Sequence, residues 1–407
     1  MPLQNDFILF GSTASNIDSQ AAYAADTNTA NGRPSGTFPS NVFNKIARQS
    51  SYASSALAQL INTYAVQGAV DNGNLTQFTN NLVAAIQAIA TSGAPVAPPG
   101  LPGGRLTLTT GVPLIGSDVT GSTVVYYTPF NNASFPLFNG SAWTNPQLSG
   151  DLSLSLTSAA AANDIVDVFG TFSGSTPVVG FGPVWATNTP GSCARGTGAG
   201  TTQISRVNNG IWTNANTITL INGGTTYASI PAGQATYLGS LAIDSVAGQT
   251  SCYVSYGQSR KWGVWNAYNR LNIALQAGDG TSSWGYGTAA WRNSNGNSAN
   301  SLLTFTGLPI EFLALNFVQA VTGNAGGGVV HLNGIGINSS SSPSGKAGYN
   351  IASGAQATSG GDLVAKFNAP PSLGLNQIFA LENALGGISG PYQGTSEFML
   401  LSAAYTA

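Results

Sequence analysis

Ala94-Pro95-Val96-Ala97-Pro98-Pro99-Gly100-Leu101-Pro102-Gly103-Gly104 divides the chain into two kinds of sequence. Its prolines fix φ and remove backbone donors, so the stretch cannot sustain a helix and is poor strand material. It reads as a semi-rigid, extended spacer. Before it, apolar residues recur every three or four positions; after it, they alternate. The fold class predicted from this switch is mainly β, with a helical segment over 1–93, a linker over 94–104, and antiparallel β modules beyond.

On the N-terminal side, Val42, Ile46, Ala53, Ala56, Leu57, Leu60, Ile61 and Tyr64 mark one helix, with Ser40 or Asn41 as its cap. Asp71-Asn72-Gly73-Asn74 reads as a turn. Leu75, Phe78, Leu82, Val83, Ile86 and Ile89 mark a second helix. The two make a helical hairpin that buries little surface by itself. Its apolar stripe is covered either by the partner helix or by symmetry mates or an attachment site on a particle.

On the C-terminal side, Leu106-Thr107-Leu108-Thr109, Leu152-Ser153-Leu154-Ser155-Leu156, Ile218-Thr219-Leu220 and Cys252-Tyr253-Val254-Ser255-Tyr256 alternate with period two. Asn139-Gly140, Asn209-Gly210, Asn222-Gly223 and Asn333-Gly334 read as turn dipeptides. Together they predict sheets of sandwich or barrel type. A small β module is expected over 105–148 and a larger, distal β region over 149–407. Ser339-Ser340-Ser341-Ser342-Pro343-Ser344-Gly345 reads as an exposed loop, and no fixed-period repeat is evident.

Composition narrows the class. Hydrophobic residues make up 42% of the 407, enough for sizeable cores, while charged residues make up only 6%. An ordinary soluble domain carries about 25% charged residues. Aromatics at 9% and a net charge of −2 favour folding over disorder. Twelve thinly spread basic residues offer no electrostatic footprint for nucleic acid. No apolar run is long enough to span a bilayer, so membrane insertion is not expected. The opening Met1-Pro2-Leu3-Gln4-Asn5-Asp6 lacks the features of a signal peptide, which implies synthesis in the cytoplasm without classical export. In a reducing cytosol Cys193 and Cys252 are expected to be buried free thiols rather than a pair.

The residues for enzymatic chemistry are sparse. His331 is the only histidine, which excludes sites that need two, and no Gly-x-Ser-x-Gly elbow accompanies it. Ser344-Gly345-Lys346-Ala347 lacks the leading glycine and trailing hydroxyl of a phosphate loop. Asp164 and Asp167 are close in sequence, yet odd spacing on a strand sends them to opposite faces. No Asp/Asn run matches a calcium loop. No enzyme activity, cofactor or metal is therefore expected. The aromatic constellation is richer: Trp262, Trp265, Tyr268, Trp284, Tyr286 and Trp291 stand beside Asn and Arg residues. Such rings stack on sugars while amides and guanidinium groups bond the hydroxyls. They also fill cores and subunit interfaces, where each ring buries a large area. Trp262, Trp265, Tyr268, Trp284 and Trp291 are the candidate glycan-binding residues.

Three regions resemble phage and prophage tail-fibre-like proteins. Asn5-Asp6-Phe7-Ile8-Leu9-Phe10, Ser19-Gln20-Ala21-Ala22-Tyr23 and Phe43-Asn44-Lys45-Ile46-Ala47-Arg48-Gln49-Ser50-Ser51-Tyr52 are similar to their N-terminal segment. Gly104 through Val124-Val125-Tyr126-Tyr127-Thr128-Pro129 to Leu137-Phe138-Asn139-Gly140-Ser141-Ala142-Trp143 is similar to a domain of the same proteins, and Tyr237-Leu238-Gly239-Ser240 to Arg270 to their downstream part. The resemblance ends near Gly307. It implies a structural virion protein, usually a homotrimer, attached to other virion proteins through residues 1–93. Its β region would project toward host-surface polysaccharide. A polysaccharide-degrading tailspike and a head decoration or head-fibre protein are the alternatives.

Overall fold

The structure is a computed structural model that describes residues 16–28, 36, 39–93, 100–206, 210–309, 312–323, 329–351, 360–385 and 390–407. The opening motif at residues 5–10 and most of the spacer, residues 94–99, lie outside the described residues. The chain forms two compact units, Met1–Ala97 and Pro98–Ala407.

The first unit contains helices α1 (Gln20–Ala25), α2 (Ser40–Tyr64) and α3 (Leu75–Gly93). Neither Ser40 nor Asn41 caps α2. Pro39 occupies that position, and its carbonyl accepts the Phe43 N–H. Asn41 is drawn away instead, its amide donating to Asp18 at 2.6 Å. The turn before α3 has Gly73 at φ 73°, and the Asn74 side chain accepts the Gln77 N–H at 3.0 Å. Ala58, Ile61 and Ala69 are buried against Phe78 and Leu82, so the two long helices touch along one side of α2. Beside that contact, several apolar side chains of α2 are exposed among the described residues: Leu57 is 42% exposed and Tyr64 47%.

The second unit is mainly β. One sheet runs, in order, Thr225–Ile230, Ile218–Asn222, Thr176–Val184, Ile165–Ser173, Thr236–Ala242, Trp212–Asn214 and Ile204–Arg206, with Val264–Asn266 also on Thr236–Ala242. Two six-stranded sheets follow. Arg260–Lys261, Ser301–Thr306, Gly374–Leu385, Val329–Ile337 and Gly345–Ile351 make the backbone of one. Asn272–Ala277, Met399–Thr406, Leu313–Thr322, Gly390–Gln393 and Ser283–Tyr286 make the other. Pairing is antiparallel except between Arg260–Lys261 and Ser301–Thr306. On Leu313–Thr322 the alternation is plain: Leu313, Leu315, Phe317, Gln319 and Val321 are buried, and the residues between them are not.

One continuous core joins these sheets, from Leu106 to Ala407. Leu152–Ser155 completes a three-stranded sheet with Gly104–Thr107 and Val124–Pro129, so that sheet runs across residue 148. Val119–Ser122 likewise pairs with Thr250–Cys252. The chain's entry into the unit is held tightly. Asn269 donates to the carbonyls of Pro102 and Gly104, Tyr127 Oη accepts the Gly104 N–H, and the Gly103 carbonyl accepts from Phe130 and Asn131. Cys193 and Cys252 are both buried and free.

The Asn139-Gly140 and Asn222-Gly223 turns lie where expected, with φ 96° at Gly140 and 59° at Gly223. Asn333-Gly334 does not turn the chain. It sits inside the strand Val329–Ile337. Asn333 points inward and donates to the carbonyls of Phe317 and Leu363, at 3.2 and 3.1 Å, which ties the two six-stranded sheets together. Gly334 is needed for contact rather than for a turn: a Cβ there would stand 2.9 Å from the Trp291 ring.

A buried ionic centre lies in the eight-stranded sheet. Asp167 is fully buried and accepts from Arg195 Nε at 2.6 Å, Trp185 Nε1 at 3.0 Å, Thr202 Oγ1 at 2.9 Å and Ser240 Oγ at 2.6 Å. The Arg195 guanidinium is 4.3 Å from the Trp185 ring centroid and 5.1 Å from that of Tyr237. Burial works against its charge, and Asp167 and Tyr237 outweigh that, so its pKa is raised.

Candidate functional site

The five candidate glycan-binding aromatics do not form one platform. Trp262 and Trp265 belong to the core, at 6% and 0% exposure. Trp265 stacks on Tyr237 at 6.4 Å between centroids, with the Arg270 guanidinium 5.6 Å from its ring. Neither indole is available to a ligand, because each fills the space between sheets. Tyr268 packs against the same core and its Oη accepts the Trp212 N–H at 2.8 Å.

Trp284 and Trp291 lie elsewhere, around Glu382. This carboxylate is fully buried and accepts from Trp284 Nε1 at 2.6 Å and from Arg292 Nε at 2.8 Å. Arg292 also stands 3.8 Å over the Tyr286 ring, and Trp284 stacks on Tyr392 at 6.3 Å. Burial pushes the Glu382 carboxyl above its ordinary value, against the pull of Trp284 and Arg292. Half-buried Trp284, Tyr286 and Trp291 thus expose only part of their rings, with guanidinium and carboxylate already spent on each other.

His331 completes this cluster, buried and edge-on to Tyr392 at 4.7 Å. Burial lowers its pKa, only partly offset by the backbone of Thr322. The sign follows from proton binding. Below the unfolded value of about 6.5 the unfolded chain takes up a proton that the folded chain resists. The stability tied to neutral His331 is therefore complete above that pH and is lost as pH falls toward the lowered folded value. Glu382 acts in the opposite direction, since a raised carboxyl pKa costs stability as pH rises. Denaturant titrations between neutral and mildly acidic pH are expected to show His331→Gln losing less stability on acidification than the unmodified chain, by up to about 1 kcal/mol per pH unit. Parallel pH profiles for the two would remove this role.

The β unit carries a polar groove of about 850 Å³. It is bounded by the turn 162–164, the loop 188–190, the segment 242–253, and Ser259, Lys261, Leu375 and Gln377. Asp164 precedes the strand Ile165–Ser173, so it faces the groove while Asp167 is sealed inside. Two reciprocal bonds set the wall: Asn163 N–H to the Asp244 carbonyl and Ile243 N–H to the Asp164 carbonyl, both 2.8 Å. Asn163 reaches this geometry at φ 65°, a left-handed conformation that Asn tolerates better than most residues. Asp164 accepts from Asn188 Nδ2 at 3.0 Å and Ala161 N–H at 3.1 Å. Asp244 accepts from Ser251 Oγ at 2.7 Å and forms an ion pair with Lys261, which also donates to the Ala242 carbonyl at 3.2 Å. Tyr253 joins the lining, with the Arg260 guanidinium 4.7 Å from its ring centroid.

Sequence reading missed this groove because its members come from distant segments with no spacing motif. One signal was at hand. Lys261 is the neighbour of Trp262, and alternation along a strand turns adjacent side chains to opposite faces. The tryptophan goes to the core and the lysine to the groove.

Among the described residues no group of three or more His, Cys, Asp or Glu could hold a metal ion. No helix among them is long and apolar enough to cross a membrane. No protein-family model matches the chain, and no curated protein matches it. Solved structures with some similarity include that of the infectious bursal disease virus Gx strain, at 11% identity over 72% of this chain and 69% of that one, with a TM-score of 0.24. The VP2 subviral particle of the same virus overlaps 78% of this chain and 84% of its own at 10% identity, TM-score 0.23. Dimeric latent PorU from Porphyromonas gingivalis overlaps 59% of this chain and 21% of its own at 11% identity, TM-score 0.23. None of the three superposes closely.

Proposed function

We propose that this protein is a structural subunit of a virus particle, a fibre or spike that self-associates through its helical unit and offers its β unit to a host-surface glycan. The observation that carries the reading is the row of exposed apolar side chains along α2 among the described residues. Phe43, Ile46, Ala53, Leu57, Leu60 and Tyr64 fall at alternating three- and four-residue steps, with Ser50 filling the one remaining place. That is the seam of a coiled coil, in which two or more helices bury a heptad stripe against each other. Among the described residues α3 packs on Ala58 and Ile61 and leaves Ile46, Leu57 and Tyr64 largely exposed.

The attachment of such a unit to other virion proteins, and its threefold symmetry, follow the tail-fibre resemblance. Charge-poor surfaces suit the role, because hydroxyl and amide hydration is nearly indifferent to salt and pH.

The test is the mass of the intact chain in solution. Three chains per particle are expected, and Leu57→Asp with Ile46→Asp is expected to leave single chains with unchanged helix content by circular dichroism. A wild-type chain that is monomeric at micromolar concentration would end this reading. The groove also favours a second reading, a glycan-cleaving spike, since Asp164 and Asp244 both line it and such enzymes flank the scissile bond with two carboxylates. Release of reducing ends from host polysaccharide would put that reading first.

A further inference from the structure

The groove has a chemistry that selects among ligands, and the argument rests on the glycan-binding reading above. The whole chain has 12 basic and 14 acidic residues, yet three ionised side chains, Asp164, Asp244 and Lys261, meet here. The remaining polar lining is hydroxyl and amide: Thr120, Asn188, Ser245, Gln249, Ser259 and Gln377. Apolar side chains share the lining, Pro190, Ile243, Val246, Leu303 and Leu375 among them, and suit the C–H faces of a sugar ring. At about 850 Å³ the space lies within the range of roughly 300–1,000 Å³ that small-molecule sites occupy.

Donor and acceptor capacity can be counted. A carboxylate offers about four lone-pair sites. Asp164 uses two on Asn188 and Ala161, and Asp244 uses two on Ser251 and Lys261. Each therefore retains acceptor capacity that asks for O–H or N–H donors. Lys261 has three N–H groups, of which Asp244 and the Ala242 carbonyl take two. Surplus acceptors and one spare donor match a ligand dense in hydroxyls.

Charge excludes the alternatives. Two carboxylates against one engaged ammonium leave the groove net negative, which repels uronates, sialylated chains and phosphates. A bare cation finds only two carboxylates, one of them held by Lys261. An apolar ligand would strand the polar lining without partners.

We propose that this groove binds a neutral oligosaccharide, with Asp164 and Asp244 accepting from ring hydroxyls, Lys261 and Gln249 donating to ring or hydroxyl oxygens, and Tyr253 supplying the aromatic contact. The backbone bonds that lock Asn163 to Asp244 and Ile243 to Asp164 hold both carboxylates in place before ligand arrives.

The experiment uses the intact chain with immobilised neutral oligomers of glucose, galactose, mannose and N-acetylglucosamine, and with oligogalacturonate as the acidic counterpart. Binding of at least one neutral oligomer, with little dependence on salt, is the expected result. Asp164→Asn is expected to weaken it by about tenfold or more and Gln249→Ala by about two- to tenfold, the ranges for losing a charged and a neutral hydrogen bond. Their unfolding midpoints should stay near that of the parent chain. Tyr286→Ala and Trp291→Ala serve as comparisons and are expected to bind as the parent does. Loss confined to those two moves the site to the Glu382 cluster and overturns the groove. Binding confined to oligogalacturonate overturns the ligand class. No binding of either class by a correctly trimeric chain removes the site and leaves the assembly reading intact, whereas neutral-sugar binding by a monomer does the reverse.

Discussion

Replacing Arg195 by alanine is expected to lower the unfolding free energy of the β unit by about 3–5 kcal/mol, the usual cost of stripping one partner from a buried ion pair. The reason is what remains. Asp167 would keep its bonds to Trp185, Thr202 and Ser240 but lose the Arg195 guanidinium that balances it, while fully buried. Trp185 and Tyr237 would also lose the guanidinium between them. Denaturant unfolding of the intact chain, followed by tryptophan fluorescence, measures the change. The double variant Arg195→Met with Asp167→Leu separates charge from packing. It is expected to recover only part of the loss, because it removes the stranded charge but leaves Trp185 Nε1, Thr202 and Ser240 without their shared acceptor. A single variant within about 1 kcal/mol of the parent would mean that water reaches the centre.

Trp265→Ala is expected to cost a similar amount, about 3–5 kcal/mol, through lost apolar burial and the cavity left behind. Trp265 stacks on Tyr237, and Gly307 is a glycine because a Cβ there would stand 2.3 Å from the indole. The same measurement on Trp291→Ala should show a smaller loss, since that ring is only half-buried. The pair thus decides between two roles for the aromatic constellation. A Trp265→Ala chain that is stable but no longer binds sugar would return the indole to a binding role.

The coarse architecture was legible because it depends on local pattern. The three- and four-residue spacing before the spacer and the period-two spacing after it each reflect one-sided burial of a single element. Asn222-Gly223 was legible for the same reason: its turn needs φ above zero, and glycine supplies it. Asn333-Gly334 carries the same letters and forms no turn. There the opposing sheet offers two carbonyls to the Asn333 amide, and Trp291 occupies the room above Gly334. Tertiary contact overrode local preference. For Trp262 and Trp265 the sequence left core packing and sugar contact both open, since composition cannot say which face of a strand looks inward; burial decides for the core. Asp167 and Arg195 are 28 residues apart, and nothing in their spacing announces a pair. The groove was least legible, being assembled from segments that become neighbours only once the sheets have formed.

The clamp at the entry of the β unit has a mechanical consequence. If the chain is a fibre as proposed, anchored at one end and bound at the other, tension would enter the β unit through Pro102, Gly103 and Gly104. Those residues are held at once by Asn269, by the Tyr127 hydroxyl and by the amides of Phe130 and Asn131. Such bonds share tension in parallel instead of parting one by one as a zipper does. Asn269 sits 165 residues beyond Gly104, so the strain is delivered directly to a distant part of the chain and not along the first strand alone. On that reading, a load carried by these residues would be shared across the sheet before the strand Gly104–Thr107 could peel away.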